Sequence, residues 1–192
     1  MEKSKLKIVN ISSKGFKKEL IVSSKDVSTL HTFLKRIIKG HLMLINTNLG
    51  LDVYYHAAQN YQDLVFNTFL LLVTSKGKSA DHYLVKSLDS ELEIERETQL
   101  FFKNLVKNPL LFKSYSSSLF NQLNLNYAHN AIIIDELLEL WLGVLAENGS
   151  NKIWLEALEP FISKFSEENS LKACQIVSRR LIQESLHIIR SN

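Results

Sequence analysis

The prediction of the fold starts from residues 131–145, which read AIIIDELLELWLGVL. Ten apolar side chains lie between positions 132 and 145, and they leave only a narrow polar stripe, which consists of Asp135, Glu136, Glu139 and Gly143. A helix that is apolar around most of its circumference is normally buried. We therefore predict that residues 128–147 form the central, buried helix of the hydrophobic core.

The rest of the chain repeats this helical periodicity and contains few residues that break helices. Among 192 residues there are six glycines and two prolines. Asp26 is predicted to cap the first helix and Gly40 to stop it, since glycine commonly follows the last turn of a helix. The box Ser90-Glu-Leu-Glu93 begins a later helix, which should end before Pro109. Helices or helical turns are predicted over residues 26–40, 41–49, 52–74, 80–87, 90–107, 114–127, 128–147 and 169–189. Residues 151–166 are predicted to be broken at Pro160, which begins a short helix.

Only the N-terminal residues show the two-residue periodicity of strands. Residues 5–9 alternate, residues 12–15 offer a turn, and residues 19–22 form a short run with β propensity. We therefore predict a small hairpin over residues 5–22. An isolated hairpin is marginally stable in water, so it should lie on the helical body or add to the sheet of a partner.

These elements together predict a fold that is mainly all-α. The expected architecture is a bundle of about six to eight helices with a small N-terminal β-hairpin. The predicted domains are a basic hairpin or arm over residues 1–25 and a single helical domain over residues 26–192.

Composition favours an ordinary folded protein. Hydrophobic residues make up 45% of the chain and charged residues 22%, which is typical of globular proteins. The single cysteine, Cys174, cannot form a disulfide within the chain, which favours a reducing, cytoplasmic location. The longest apolar run, residues 69–73, is far shorter than the roughly 20 residues of a membrane-spanning helix, so no membrane contact is predicted.

The sequence contains no familiar pattern of metal or cofactor ligands. It has no cysteine pair, no His-Glu-x-x-His motif and no EF-hand loop. We therefore predict neither a metal nor a cofactor.

Charge is unevenly distributed along the chain. Residues 1–40 carry ten Lys and Arg against three Asp and Glu, residues 131–168 carry two against eight, and residues 169–192 carry four against one. Such segregation can steer a polyanion to one end of a molecule, or pair one protein surface with another. The candidate residues for contact with nucleic acid or an acidic partner are Lys14, Lys17, Lys18, Lys35, Arg36, Lys39, Lys172, Arg179, Arg180 and Arg190.

A short motif in the last predicted helix suggests RNA chemistry. Residues 180–187 read RLIQESLH and place Arg180 and His187 on one helix face. This spacing resembles the Arg-x(4–6)-His motif of HEPN-type helical ribonucleases. The resemblance implies a metal-independent site, formed across a dimer, in which Arg and His serve attack by the RNA 2′-hydroxyl. It covers eight residues, and Leu181 stands where that family usually has a polar residue.

The absence of a catalytic constellation leads us to favour a non-enzymatic role. The chain is expected to be a protein-interaction or regulatory module, or a small subunit of a larger assembly, that binds a protein partner or a second copy of itself. Such a module should expose an apolar patch or a free strand edge. The alternative is a helical protein that contacts nucleic acid, with the HEPN-like ribonuclease as its enzymatic form.

A third hypothesis is a helical sensor of a small ligand. Its pocket would lie between apolar helices and would require a cavity of several hundred Å³. The aromatic residues that could line it are Tyr54, Tyr55, Tyr61, Phe66 and Trp141.

Overall fold

The computed structural model shows a four-stranded antiparallel sheet with helices on both faces. It describes residues 4–15, 20–74, 77, 79–105 and 107–147. The strands are β1 (Lys5–Ser13), β2 (Leu42–Thr47), β3 (Gly50–Ala57) and β4 (Tyr83–Leu88). The helices are α1 (Ser24–Ile37), α2 (Gln62–Thr74), α3 (Glu91–Leu105) and α4 (Pro109–Glu147), and a 3₁₀ turn at Ala80–His82 precedes β4.

The strands are arranged in the order β2-β3-β1-β4. β1 lies between β3 and β4 and is antiparallel to both, and β2 pairs with β3, so β2 and β4 are the edge strands. Helices α1 and α2 therefore each connect two parallel strands that are separated by a third. This β-α-β-β-α-β order is that of the ferredoxin-like, or split βαβ, unit.

The prediction of an all-α bundle is wrong. Parts of segments 41–49, 52–74 and 80–87, all predicted to be helical, form β2, β3 and β4. A short apolar run fits both helical and strand periodicity, and a strand buried on both faces shows little alternation of polar and apolar residues. The fold is a mixed α/β fold in which helices cover both faces of a sheet.

The predicted N-terminal hairpin is also wrong. β1 pairs with β3 and β4 in the middle of the sheet, and residues 20–22 form no strand. A central strand satisfies its backbone N–H and C=O groups on both sides, which a lone hairpin cannot do. The division of the chain into residues 1–25 and 26–192 stays a prediction.

Helices α1 and α2 cover one face of the sheet. Their side chains and those of alternate strand residues form a hydrophobic cluster that includes Val9, Ile11, Leu51, Val53, Tyr55, Leu30, Leu34, Val65 and Phe69. The N-cap of α1 is Ser23 and not the predicted Asp26. The Asp26 amide donates to Ser23 Oγ (3.2 Å), and the Asp26 carboxylate accepts from the Ser23 amide (3.3 Å).

The connection from α1 to β2 passes close to β3. Helix α1 ends at Ile37, three residues before the predicted stop at Gly40. A Cβ atom at position 40 would lie 2.0 Å from the backbone oxygen of His56. Glycine is therefore needed here because another strand approaches the backbone closely.

Helices α3 and α4 cover the other face of the sheet. The predicted capping box of α3 is confirmed, since the Glu93 amide donates to Ser90 Oγ (3.3 Å) and the Ser90 amide donates to Glu93 Oε2 (3.2 Å). Helix α4 is kinked at Asn130, whose φ of −133° and ψ of 25° are not helical.

The buried helix predicted over residues 128–147 corresponds to the part of α4 from the kink onward. Its buried side chains include Ile133, Ile134, Leu137 and Trp141. None of the helices in the described ranges is long and apolar enough to span a membrane.

Candidate functional site

A cavity of about 390 Å³ lies between the sheet and helices α3 and α4. Its floor consists mainly of strand residues: Ile8, Asn10, Asp52, Tyr54, Lys86 and Leu88. The strand register places Asn10 of β1 opposite both Asp52 of β3 and Lys86 of β4. Three polar residues that are far apart in sequence thus form one row across the floor.

The roof of the cavity is a row of aromatic rings on α3 and α4. The ring centroid of Phe101 lies 5.1 Å from that of Tyr115 and 5.7 Å from that of Phe102, and Phe102 lies 6.2 Å from Trp141. Edge-to-face and tilted contacts at such distances are favourable arrangements of aromatic rings. Tyr54 adds a fifth ring from the floor, so the polar row faces a largely aromatic surface.

Asp52 is a charged group of the cavity with no counter-ion among the described residues. Its Oδ1 accepts a hydrogen bond of 2.7 Å from Asn10 Nδ2. Lys86, in the same row, instead forms an ion pair with Glu97 of α3. Burial raises the pKa of Asp52 to about 6, and the hydrogen bond from Asn10 opposes this rise. At neutral pH the carboxylate is therefore mainly ionised and poorly solvated.

Two tyrosine hydroxyls in the lining remain protonated. Burial raises the pKa of Tyr54 and Tyr115 well above the ordinary value of a phenol, and the nearby charge of Asp52 raises it further. A neutral phenol can donate one hydrogen bond and accept another. The cavity therefore combines an ionised carboxylate with neutral hydroxyls and aromatic faces.

A second concavity, a groove of about 670 Å³, runs along the edge of β2 between α1 and α4. The residues that line it include Ser28, His31 and Lys35 of α1 and Asn121, Gln122 and Leu125 of α4. Leu20 is 47% exposed and Leu125 is 72% exposed, so two apolar side chains border the groove. Its described lining contains Lys35 but no Asp or Glu.

The backbone of β2 presents hydrogen-bonding groups to this groove. The His56 amide donates to the His41 carbonyl (3.0 Å), so the hydrogen bonds from this end of β2 to β3 fall at residues 41, 43, 45 and 47. The N–H and C=O groups of residues 42, 44 and 46 therefore point outward.

These outward groups differ in their partners. The Asn46 amide donates to Gln122 Oε1 (2.7 Å), and Gln122 Nε2 donates to the Asn46 carbonyl. The Leu42 carbonyl lies 3.4 Å from His31 Nε2. Neither outward group of Leu44 has a hydrogen-bond partner among the described residues. Within the described ranges, the edge of β2 is thus covered by a side chain at Asn46 and open at Leu44.

The structure does not test the predicted basic contact surface. Lys14, Lys35, Arg36 and Lys39 are exposed. Lys35 Nζ donates to the Gly40 carbonyl (2.7 Å) and Lys39 Nζ to the Arg36 carbonyl (2.6 Å), so both ammonium groups bind backbone at the end of α1. The other candidates, Lys17, Lys18, Lys172, Arg179, Arg180 and Arg190, lie outside the described residues, as does His187. Nucleic-acid contact and the ribonuclease motif stay predictions.

Of the aromatic residues predicted to line a ligand pocket, Tyr54 and Trp141 line the cavity. Tyr55 lies on the opposite face of the sheet, where its hydroxyl accepts a hydrogen bond from the Tyr61 amide (3.0 Å). Phe66 of α2 packs against that same cluster. The sequence alone does not reveal Asn10 and Asp52, because only the register of β1 and β3 brings them together.

In the described part of the chain, no three His, Cys, Asp or Glu side chains are grouped so that they could hold a metal ion. Comparisons of the whole chain with protein families, with curated proteins and with solved structures gave no match. The geometry of the cavity and of the groove therefore carries the functional proposals.

Proposed function

We propose that the protein is a non-enzymatic protein-interaction module that takes an extended segment of its partner into the groove beside β2. The observation that carries this proposal is the open edge at Leu44, which lies at the bottom of the groove between α1 and α4. An extended peptide that adds a strand to such an edge forms backbone hydrogen bonds with it. Each of these bonds contributes a net stabilisation of about 0.5–1.5 kcal/mol.

Gln122 supports this mode of binding because it already engages the edge as a strand would. Its side-chain amide both accepts from and donates to the backbone of Asn46. A peptide strand offers the same pair of groups at every second residue. The segment that binds at Leu44 is therefore expected either to stop at Gln122 or to displace its side chain.

The lining of the groove defines the side chains that suit the partner. The exposed Leu20 and Leu125 favour apolar residues, and Lys35, with no carboxylate in the described lining, favours an acidic residue. Successive side chains of an extended peptide point to opposite sides. We therefore propose a short segment that carries apolar residues together with an acidic residue on the side that faces α1.

Selection of short random peptides displayed on phage, with the folded protein as bait, tests the proposal. Ser28→Trp puts a bulky ring in the groove and should weaken the selected peptides about tenfold or more, which corresponds to about 1.4 kcal/mol. Thr29→Trp is the matched control, because Thr29 is also exposed but does not line the groove. Each hydroxyl bonds the carbonyl four residues earlier, at 3.1 Å for Ser28 and 3.0 Å for Thr29, so both variants lose the same type of contact.

Peptides that bind both variants equally well would contradict a site in the groove. Peptides that bind there without an acidic residue would leave strand addition intact but remove the role given to Lys35.

A further inference from the structure

We propose that the cavity between the sheet and helices α3 and α4 binds a small organic cation with a planar, apolar body, and that the charged N–H group of this ligand pairs with Asp52. The proposal does not depend on the groove, since the described residues that line the two sites do not overlap.

The first argument is the balance of charge in the cavity. The described lining contains two carboxylates, Asp52 and Glu97, and one cation, Lys86. Because Lys86 pairs with Glu97, the Asp52 carboxylate faces the cavity with a neutral amide as its hydrogen-bond partner. A poorly solvated anion of this kind is stabilised by a cation that brings N–H donors.

The second argument is the aromatic lining. Five rings, those of Tyr54, Phe101, Phe102, Tyr115 and Trp141, are part of the lining of the cavity. The faces of aromatic rings attract cations, and the attraction increases when water is excluded. The same rings also accept the flat apolar body of a ligand. An anionic ligand would gain nothing from these faces and would be repelled by Asp52.

The third argument is size. A volume of about 390 Å³ lies at the lower end of the roughly 300–1,000 Å³ that is typical of small-molecule sites. It suits a single ring with a short charged group. A peptide or nucleic-acid strand would not fit, so the ligand belongs to the class of aryl amidines and arylalkyl amines, which are cations at neutral pH.

The ionisation of Asp52 gives the site a pH signature. The other titratable groups in the described lining of the cavity are Tyr54 of β3, Lys86 of β4, Glu97 of α3 and Tyr115 of α4. Of these, the two tyrosines keep their protons because their pKa values are raised. The pKa of Asp52 itself is raised to about 6 by burial. A bound cation favours the ionised form, so binding near pH 6 should release part of a proton from Asp52.

Isothermal titration with benzamidinium and benzamide tests the proposal on the unaltered protein. The two probes have nearly the same shape, but only benzamidinium is charged. We expect benzamidinium to bind about tenfold or more tightly than benzamide. Titration near pH 6 in two buffers of different ionisation enthalpy should show proton release. The indole signal of Trp141 in an NMR spectrum should shift on binding, which places the probe in the cavity.

Asp52→Asn removes the charge while keeping the shape, and it should abolish the preference for the cation. Phenethylammonium, paired with neutral phenylethanol, extends the test to amines. If neither cation is preferred over its neutral counterpart, or if Asp52→Asn keeps the preference, the proposal is wrong. If Asp52→Asn fails to fold, the comparison of charged and neutral probes on the wild-type protein still tests the proposal. Because peptide binding in the groove is measured separately, either proposal can fail without the other.

Discussion

Among single residues, Asp52 links the cavity to the stability of the fold. Its pKa is about 6 in the folded protein, against an ordinary value of 3.8. Between these two pH values the folded state holds a proton that the unfolded state has released. The free energy of unfolding therefore falls as the pH rises through this window, and about 3 kcal/mol of stability that is present in acid is lost above it.

Asp52→Asn should remove this pH dependence. At pH 7 the variant should unfold with a free energy about 3 kcal/mol higher than that of the wild type, and in acid below about pH 4 the difference should vanish. Urea denaturation at both pH values measures the effect. Asp81→Asn, at an exposed carboxylate, serves as the control. An equal stability of wild type and Asp52→Asn at pH 7 would show that the carboxylate is well solvated, which would also weaken the proposal of a cation site.

At the scale of elements, the sequence predicts the start of α3, but it misplaces both ends of α1 and does not distinguish buried strands from helices. The capping box at Ser90 can be predicted from the sequence because it depends on residues three positions apart. The strand β3 cannot be predicted from such a local pattern. Its alternate residues Asp52 and Tyr54 face the cavity while Val53 and Tyr55 are buried in the opposite layer. Since both faces carry apolar side chains, the run resembles the start of a long helix.

The connection from α1 to β2 offers a test of how closely the elements pack. Gly40→Ala would place a methyl group against the His56 carbonyl of β3. The backbone must shift to relieve this contact, so we expect a loss of about 1–3 kcal/mol in the free energy of unfolding. Lys39→Ala, at the exposed neighbouring residue, should have a much smaller effect. If Gly40→Ala and the wild type had equal denaturation midpoints, the connection from α1 to β2 would not be packed tightly against β3.

At the scale of the whole molecule, the two sites depend on pairings that sequence periodicity does not encode. The cavity takes residues from β1, β3, β4, α3 and α4, and the groove takes residues from α1, β2 and α4. The sequence names Tyr55 and Phe66, which pack on the opposite face of the sheet, as readily as it names the two aromatics that do line the cavity, Tyr54 and Trp141. Their anionic partner, Asp52, is identified only by its place opposite Asn10. The open edge of β2 likewise follows from strand order and not from composition.

Residue-resolved hydrogen exchange along β2 tests the central claim most directly, because a sheet edge and a helix protect their amides differently. In the free protein we expect slow exchange at Met43 and Ile45, whose amides bond to β3, and fast exchange at Leu44, whose amide points outward from the sheet. The Asn46 amide should be protected in the wild type and lose that protection in Gln122→Ala. A bound peptide should then protect Leu44. Slow exchange at Leu44 in the free protein, or unbroken protection through residues 43–46, would contradict the open edge.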